Sequence, residues 1–146
     1  MTVADLSDIT AYNEDVYKQG FPPSVTVFRE RITAADCLLI ATPEYNYGMP
    51  GVLNNAIDWA SRPPDQPFDG KPMALLGASV GKLGTALAQN QLRQALVGLN
   101  GQIVTRPQVF INSALQNFDE NGVLMDDAAK VLIDQIITAL LEVASS

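Results

Sequence analysis

Histidine is absent from the 146-residue sequence, and cysteine occurs only once, as Cys37. Histidine is the most frequent metal ligand and the usual general base near neutral pH, so its absence argues against zinc sites and serine–histidine triads. A single cysteine excludes an internal disulfide. Because Cys37 lies in an apolar run, we predict a buried thiol in a protein that functions in a reducing compartment.

Positive charge and long apolar runs are also scarce. Lys and Arg number 9 against 16 Asp and Glu, a net charge of −7, and no basic cluster could attract nucleic acid or an anionic membrane. No apolar run approaches the roughly 20 residues of a membrane helix, and the N-terminus lacks a secretory pattern. We therefore expect a cytoplasmic protein without nucleic-acid or membrane partners and without a metal site.

The remaining composition is that of an ordinary globular protein, with 47% hydrophobic and 17% charged residues. A chain of this length forms one domain that buries about 70% of the surface exposed by its unfolded form. We predict a single domain over residues 1–146.

Candidate strands and helices alternate along the chain. The strands are continuous apolar runs, which is typical of parallel strands covered on both faces, and the alternation predicts an α/β layer fold. Strands are predicted at residues 36–42, 72–77, 102–105 and 108–111, and the pattern allows a short one at 2–6. Helices are predicted at residues 25–34 with Ser24 as the cap, at 52–61 with Val52, Ala56, Trp59 and Ala60 on one side, at 85–99, and at 126–144.

The loop after the first clear strand, residues 43–51, has an unusual composition. Ligands of open α/β sheets bind beyond the carboxyl ends of the strands, where this loop lies. Two prolines flank a turn containing Tyr45, Asn46 and Tyr47, together with Glu44. A planar heteroaromatic ligand could stack on the rings while the polar groups meet its edge. In the alternative interpretation, the two tyrosines only pack against the core and anchor the loop there.

The loop at residues 77–84, after the second strand, allows three interpretations. A Gly-x-Ser-x-Gly pattern centred on Ser79 matches a hydrolase elbow, but no histidine is present to activate the serine. A nucleotide-hydrolase phosphate loop fails because Leu83 replaces the required hydroxyl residue. In the third interpretation, small residues let the backbone approach a ring, and the amides of residues 81–85 face its negative charge. An ordinary glycine-rich connection is the alternative.

Residues 42–59, with the sequence TPEYNYGMPGVLNNAIDW, closely resemble the signature of the NADPH-dependent FMN reductase and quinone reductase family of flavodoxin-like proteins. Weaker similarity occurs at residues 5–6, 12–15, 79–84 and 91–94, so that the resemblance covers most of the chain. It implies a flavodoxin-like three-layer fold, a parallel sheet with helices on both faces.

The resemblance also implies a function. In this family, bound FMN passes a hydride from NADPH or NADH to a small-molecule acceptor, which is a quinone, a free flavin, an azo dye or a metal oxyanion. No side chain is expected to act as a catalytic acid or base, because the flavin carries the chemistry. Homodimers or homotetramers are also implied. The residues expected to line the flavin are Pro43, Glu44, Tyr45, Asn46 and Tyr47 on one side and Ser79, Gly81 and Gly84 on the other.

The chain departs from the family pattern at its beginning. Family members start with a strand and a phosphate-binding loop, and nothing before Val25 supplies that unit, so we expect a flavodoxin-like domain that is incomplete at its N-terminus. Loss of the phosphate contacts predicts weakened FMN binding. The alternative function is therefore a non-catalytic binding or assembly module.

A polar cluster on the helix predicted at residues 85–99 suggests a subunit contact, because it is scarcely charged. Its members are Gln89, Asn90, Gln91, Arg93 and Gln94. An exposed helix surface is the alternative.

Overall fold

The computed structural model describes residues 1–146 as one parallel sheet flanked by helices. The strands are β1 (Leu38–Ala41), β2 (Pro72–Ala78), β3 (Gln102–Ile103) and β4 (Val109–Ile111). The helices are α1 (Glu14–Tyr17), α2 (Pro23–Ala34), α3 (Gly51–Ala60), α4 (Ala86–Gly98), α5 (Ala114–Asn117) and α6 (Asp127–Ala144). The four principal strands and the four longer helices confirm the predicted order of elements.

Strand β2 is the centre of the sheet. It pairs in parallel with β1 on one side, and β3 and β4 pair with it one after the other on the opposite side. Between β3 and β4 lies Pro107, which has no N–H to donate to the ladder. The two strands predicted near the end of the sheet therefore occupy successive stretches along one edge of β2.

The core lies in two layers, one on each face of β2. Met73 and Leu75 belong to a cluster with buried side chains of α2, α3 and α4, whereas Ala74 belongs to a cluster with α6. This alternation follows from the two-residue period of a strand. Helices cover both faces, which confirms the three-layer architecture.

Strand β1 differs from the prediction that every strand is covered on both faces. It pairs with β2 alone, its residues 38–40 are half-buried, and Ala41 is exposed. Cys37 is half-buried as well, so the predicted buried thiol is only partly correct. The apolar pattern suggested a central strand, but the position at an edge of this sheet leaves β1 more accessible.

Two predictions near the N-terminus are wrong. Residues 2–6 form no strand, because no other strand pairs with them. Ser24 lies inside α2, which begins at Pro23 and has Pro22 as its N-cap without a side-chain hydrogen bond. Proline suits the first turn of a helix, where an N–H would have no intrahelical partner.

Helix α3 buries a slightly different stripe from the predicted one. Ala56, Trp59 and Ala60 are buried as expected, but the side chain of Val52 is 64% exposed. The stripe passes through Leu53, which packs against the core cluster instead. The buried stripe therefore differs from the prediction only at the start of the helix, where Leu53 replaces Val52.

The segment before α2 is fastened to α3 rather than forming a free loop. The side-chain oxygen of Asn55 accepts the N–H of Tyr12 at 2.7 Å, and its amide donates to Thr10 O at 2.9 Å. The indole N–H of Trp59 donates to Thr10 O at 2.8 Å, and Tyr12 packs edge-on against the Trp59 ring. The second half of the 42–59 motif thus anchors the N-terminal segment.

None of the helices combines the length and the apolar character required to cross a membrane.

Candidate functional site

The two loops singled out by their composition leave the sheet side by side. Ala41 pairs with Leu76 across the ladder, and the N–H of Thr42 donates to Leu76 O at 3.0 Å. Since β1 and β2 are parallel, the loop beginning at Pro43 and the loop after Ala78 lie at the same end of the sheet.

The first loop forms a tight hairpin. Tyr45 and Gly48 exchange two backbone hydrogen bonds of 3.0 Å each, and the residues between them, Asn46 and Tyr47, have φ values of 50° and 63°. Two successive left-handed residues form a type I′ turn, which favours Asn and Gly. Tyrosine in this conformation carries backbone strain of about 1–2 kcal/mol.

The tip of this hairpin faces solvent. Tyr45 and Tyr47 are 64% and 75% exposed, so the interpretation in which they only pack against the core is wrong. The backbone N–H groups of Asn46 and Tyr47 and the Asn46 side chain make no hydrogen bond within the protein. The hairpin therefore presents two aromatic rings and free polar groups at a strained turn.

Glu44 connects the hairpin with α4. Its Oε2 accepts the N–H groups of Leu87 and Ala88, both at 2.9 Å, in the first turn of the helix. The N-cap residue of α4, Thr85, makes no side-chain capping bond, so that Glu44 supplies the cap from a distant part of the chain. This oxygen is occupied by the helix and is not free to meet a ligand edge.

A second contact between the same two elements comes from Gln91. Its Oε1 accepts the N–H of Met49 at 2.9 Å. Gln89 is fully buried and its amide donates to Thr85 Oγ1 and Val109 O. Gln89 is therefore not available for the predicted subunit contact, because it is buried. Asn90, Gln91 and Gln94 are exposed and Arg93 is half-buried, so for them the subunit contact stays a prediction.

The second loop is bonded to the end of β4. Ser79 N–H donates to Ile111 O at 2.9 Å, and Ser79 Oγ accepts the N–H of Gly81 at 3.3 Å. Gly84 has φ +60°, and a Cβ built on it would lie 3.1 Å from the backbone carbon of Phe110. Packing against β4 and a left-handed backbone thus account for Gly84. The N–H groups of Gly81 and Gly84 bond within the loop.

An open, mainly apolar cavity of about 490 Å³ lies at this end of the sheet. Its lining residues come from the ends of β1, β2 and β4, the 118–124 segment and α6: Ala41, Thr42, Pro43, Leu76, Gly77, Ala78, Ile111, Phe118, Gly122, Leu124 and Ile133. None of them is charged. The volume lies within the range of about 300–1,000 Å³ that is usual for small-molecule sites.

The model of one protein family, described as NADPH-dependent FMN reductase, matches residues 1–116 of the sequence. The chain belongs to this family. An NAD(P)H-dependent FMN reductase of Pseudomonas aeruginosa is 62% identical over 138 residues, which cover 94% of this chain and 75% of the relative. A quinone reductase of Escherichia coli K12 is 46% identical over 113 residues, covering 77% of this chain and 60% of that protein.

A solved structure supports the same assignment for this FMN reductase family member. FerB, a flavoenzyme NAD(P)H:(acceptor) oxidoreductase from Paracoccus denitrificans, superposes with a TM-score of 0.85 at 32% sequence identity. The superposition covers 97% of this chain and 78% of FerB. The flavodoxin-like fold predicted from the resemblance is thereby confirmed.

The site residues fit the ring system of FMN, the cofactor of the family. Exposed aromatic faces and the unbonded N–H groups of Asn46 and Tyr47 suit a planar ligand with hydrogen-bonding edges. Pro43 contributes to the adjacent cavity. The cavity lining contains no Lys or Arg, so that it offers no cation for the FMN phosphate.

Several residues that build this site were not recognised as site residues from the sequence. Gln91 lies in the middle of a helix, and its contact depends on where the hairpin packs against that helix. No local sequence pattern encodes this packing. Phe118 and Leu124 reach the cavity from the segment between α5 and α6, for which the sequence analysis proposed no function. Their apolar character was the available signal, but it is shared by all core residues.

Proposed function

We propose that this chain is an FMN-dependent NAD(P)H oxidoreductase that passes a hydride from the nicotinamide to a quinone or another small acceptor such as a free flavin, an azo dye or a metal oxyanion. The observation that carries the proposal is the strained, exposed hairpin of Tyr45, Asn46 and Tyr47 beside an apolar cavity. Strain in an exposed turn is typical of functional sites. The names of the relatives from Pseudomonas aeruginosa and Escherichia coli support the same activity.

In this proposal the chain positions rings and excludes water, and the bound FMN supplies the redox chemistry by accepting and releasing a hydride. Pro43, Tyr45, Asn46 and Tyr47 would hold one side of the isoalloxazine. The free backbone amides of the turn would donate to its polar edge. The apolar cavity wall would limit the access of water to the reacting face. No side chain has to transfer a proton in this scheme.

The residues Ser79, Gly81 and Gly84 are proposed to border the side of the isoalloxazine opposite the hairpin. Ser79 and Gly81 bond to each other, and a Cβ built on Gly81 would have only Ser79 Oγ within 4 Å, at 3.8 Å. Open space over Gly81 lets a flat ring approach the backbone closely. Gly84 contributes indirectly, because it seats the loop against Phe110.

The proposal is tested with FMN and NADPH on the 146-residue chain. We expect quenching of flavin fluorescence on titration, and steady oxidation of NADPH with a benzoquinone acceptor in the presence of FMN. A matched pair of variants, Tyr47→Phe and Tyr47→Ala, separates the ring from the hydroxyl. No quenching and no turnover would overturn the proposal and favour the non-catalytic module.

We further propose a homodimer or homotetramer in the cytoplasm. Exposed apolar side chains, including Tyr45, Val80 and Leu83, surround the site, as expected of a surface that another subunit covers. Multi-angle light scattering on the chain tests the assembly, and a monomer at all concentrations would contradict it. Cell fractionation tests the compartment.

A further inference from the structure

Two hydrogen-bonded contacts join the hairpin and α4, and they run in opposite directions. Glu44, just before the hairpin, accepts two N–H groups of the helix. Gln91, on the helix, accepts the N–H of Met49, just after the hairpin. Both ends of the turn are thus hydrogen-bonded to α4. At one end the acceptor belongs to the residue before the hairpin, and at the other end it belongs to the helix.

The first contact satisfies a requirement of the helix. The opening N–H groups of an α-helix lack intrahelical partners and carry partial positive charge, so a carboxylate is favourable there. The first turn of α4 contains no acidic residue, and Thr85 supplies no capping bond. Glu44 is the acceptor that meets this requirement, through bonds strengthened by its charge.

The second contact depends on close packing. A Cβ built on Gly48 would lie 3.0 Å from Gln91 Oε1, so the absence of a side chain at this position lets the glutamine approach the backbone. Gly48 is also the residue that closes the turn with Tyr45. The Gln91 side chain is therefore fitted to the closed form of the hairpin.

The hairpin needs such support. Asn46 and Tyr47 both adopt the left-handed conformation, and the tyrosine rings are mostly exposed, so core packing does not hold the tip. A strained turn persists only where its surroundings determine it.

We propose that Glu44 and Gln91 are positioning residues that form a two-point clamp on the flavin-facing hairpin. Their side chains act on the ligand through the backbone of residues 45–48 and do not contact it. The predicted lining role of Glu44 is thereby reassigned from its carboxylate to the hairpin that it holds. The flavin-related part of this inference rests on the proposed function.

The first experiment needs no flavin. Amide hydrogen exchange is measured on the free protein for Glu44→Ala, Glu44→Gln and the control Glu142→Gln, which removes one exposed charge on α6. We expect exchange at Leu87 and Ala88 to accelerate about tenfold or more in Glu44→Ala, because hydrogen-bonded amides are protected. Glu44→Gln retains an acceptor and should restore part of the protection. Wild-type exchange rates in Glu44→Ala would overturn the clamp.

The second experiment is a double-mutant cycle of FMN affinity with Glu44→Ala and Gln91→Leu. Each single substitution should raise the Kd about tenfold by releasing the same hairpin, and the pair should raise it far less than about a hundredfold. Independent, multiplicative effects would overturn the shared clamp. If wild-type protein bound no FMN while the amides responded as expected, the proposed function would fail and the flavin-facing role with it, but the structural clamp would stand.

Discussion

Gly77 and Thr42 lie so close together that a Cβ built on Gly77 would stand 2.0 Å from the Thr42 carbonyl oxygen and 2.6 Å from Thr85 Oγ1. The nearer of these two atoms belongs to the backbone of Thr42, which cannot move aside as the end of a flexible side chain could. We therefore expect Gly77→Ala to lower the free energy of unfolding by about 3 kcal/mol, the range of severe overpacking. Urea denaturation followed by circular dichroism measures the change.

Gly98→Ala is the matched control for this prediction. Gly98 ends α4, has no left-handed φ, and a Cβ built there would meet nothing within 4 Å. Alanine should raise the free energy of unfolding by about 0.5 kcal/mol, because it favours the helix and reduces the entropy of the unfolded chain. Equal effects of the two substitutions would show that the close approach at Gly77 does not limit stability.

Tyr47 combines backbone strain with an exposed ring, so stability and binding should respond in opposite directions to its removal. Tyr47→Gly relieves the left-handed strain and should leave the free energy of unfolding unchanged or raise it by up to about 1 kcal/mol. Loss of the ring should raise the Kd for FMN about tenfold, in keeping with the energy of aromatic pairs. Thermal melts and fluorescence titration give the two quantities.

Tyr47→Phe is the control for the ring. It keeps both the aromatic face and the strain, so affinity and stability should stay near wild type. If Tyr47→Gly bound FMN with wild-type affinity, the Tyr47 ring would not be part of the flavin site. If Tyr47→Gly were strongly destabilised, the turn would not be strained at this residue.

The fold could be predicted because its elements carry local signals. The apolar runs that became β1 and β2 are bounded by Pro43 and by Pro72, and the helix from Asp127 repeats its apolar residues at helical spacing. These patterns determine element type and order. They do not show which strand is at an edge, and β1 therefore turned out more exposed than its central-strand composition suggested.

The position of the candidate hairpin was predictable from the sequence, but its internal bonding was not. Tyr45 and Asn46 were correctly placed in a turn beside the sheet, because proline and aromatic residues mark that loop. The partners of Glu44 and Gln91 lie 42 to 44 residues away along the chain. No local propensity encodes such contacts, which arise only when the hairpin and α4 are packed together.

The adjacent asparagines of α3 give a test of how the N-terminal segment is held. Asn55 bonds to the backbone of Thr10 and Tyr12, whereas Asn54 bonds only to Asp58 one turn away. Asn55→Ala leaves the half-buried N–H of Tyr12 without a partner, whereas Thr10 O still accepts from Trp59, and it should cost about 1–3 kcal/mol of unfolding free energy.

Limited proteolysis supplies a second measurement for this pair. The segment of residues 7–21 should become more sensitive to cleavage in Asn55→Ala, because one of its two hydrogen-bonding anchors on α3 is lost while Trp59 remains. Asn54→Ala should change stability by less than about 0.5 kcal/mol and leave the cleavage pattern unaltered. Similar cleavage of both variants would contradict the anchoring role of Asn55.

The ratio of the affinities for FMN and riboflavin measures how much the phosphate group contributes to binding. The residues lining the cavity include no cation, and charge-assisted bonds to a phosphate are worth about 1.5–3 kcal/mol each. We therefore expect the chain to bind FMN no more than about threefold more tightly than riboflavin, with little dependence on salt. Lys82, exposed in the second loop, is the cation to examine by substitution with alanine. A preference for FMN of about a hundredfold that disappears in Lys82→Ala would assign the phosphate contact to this lysine, because two charge-assisted bonds supply such a factor.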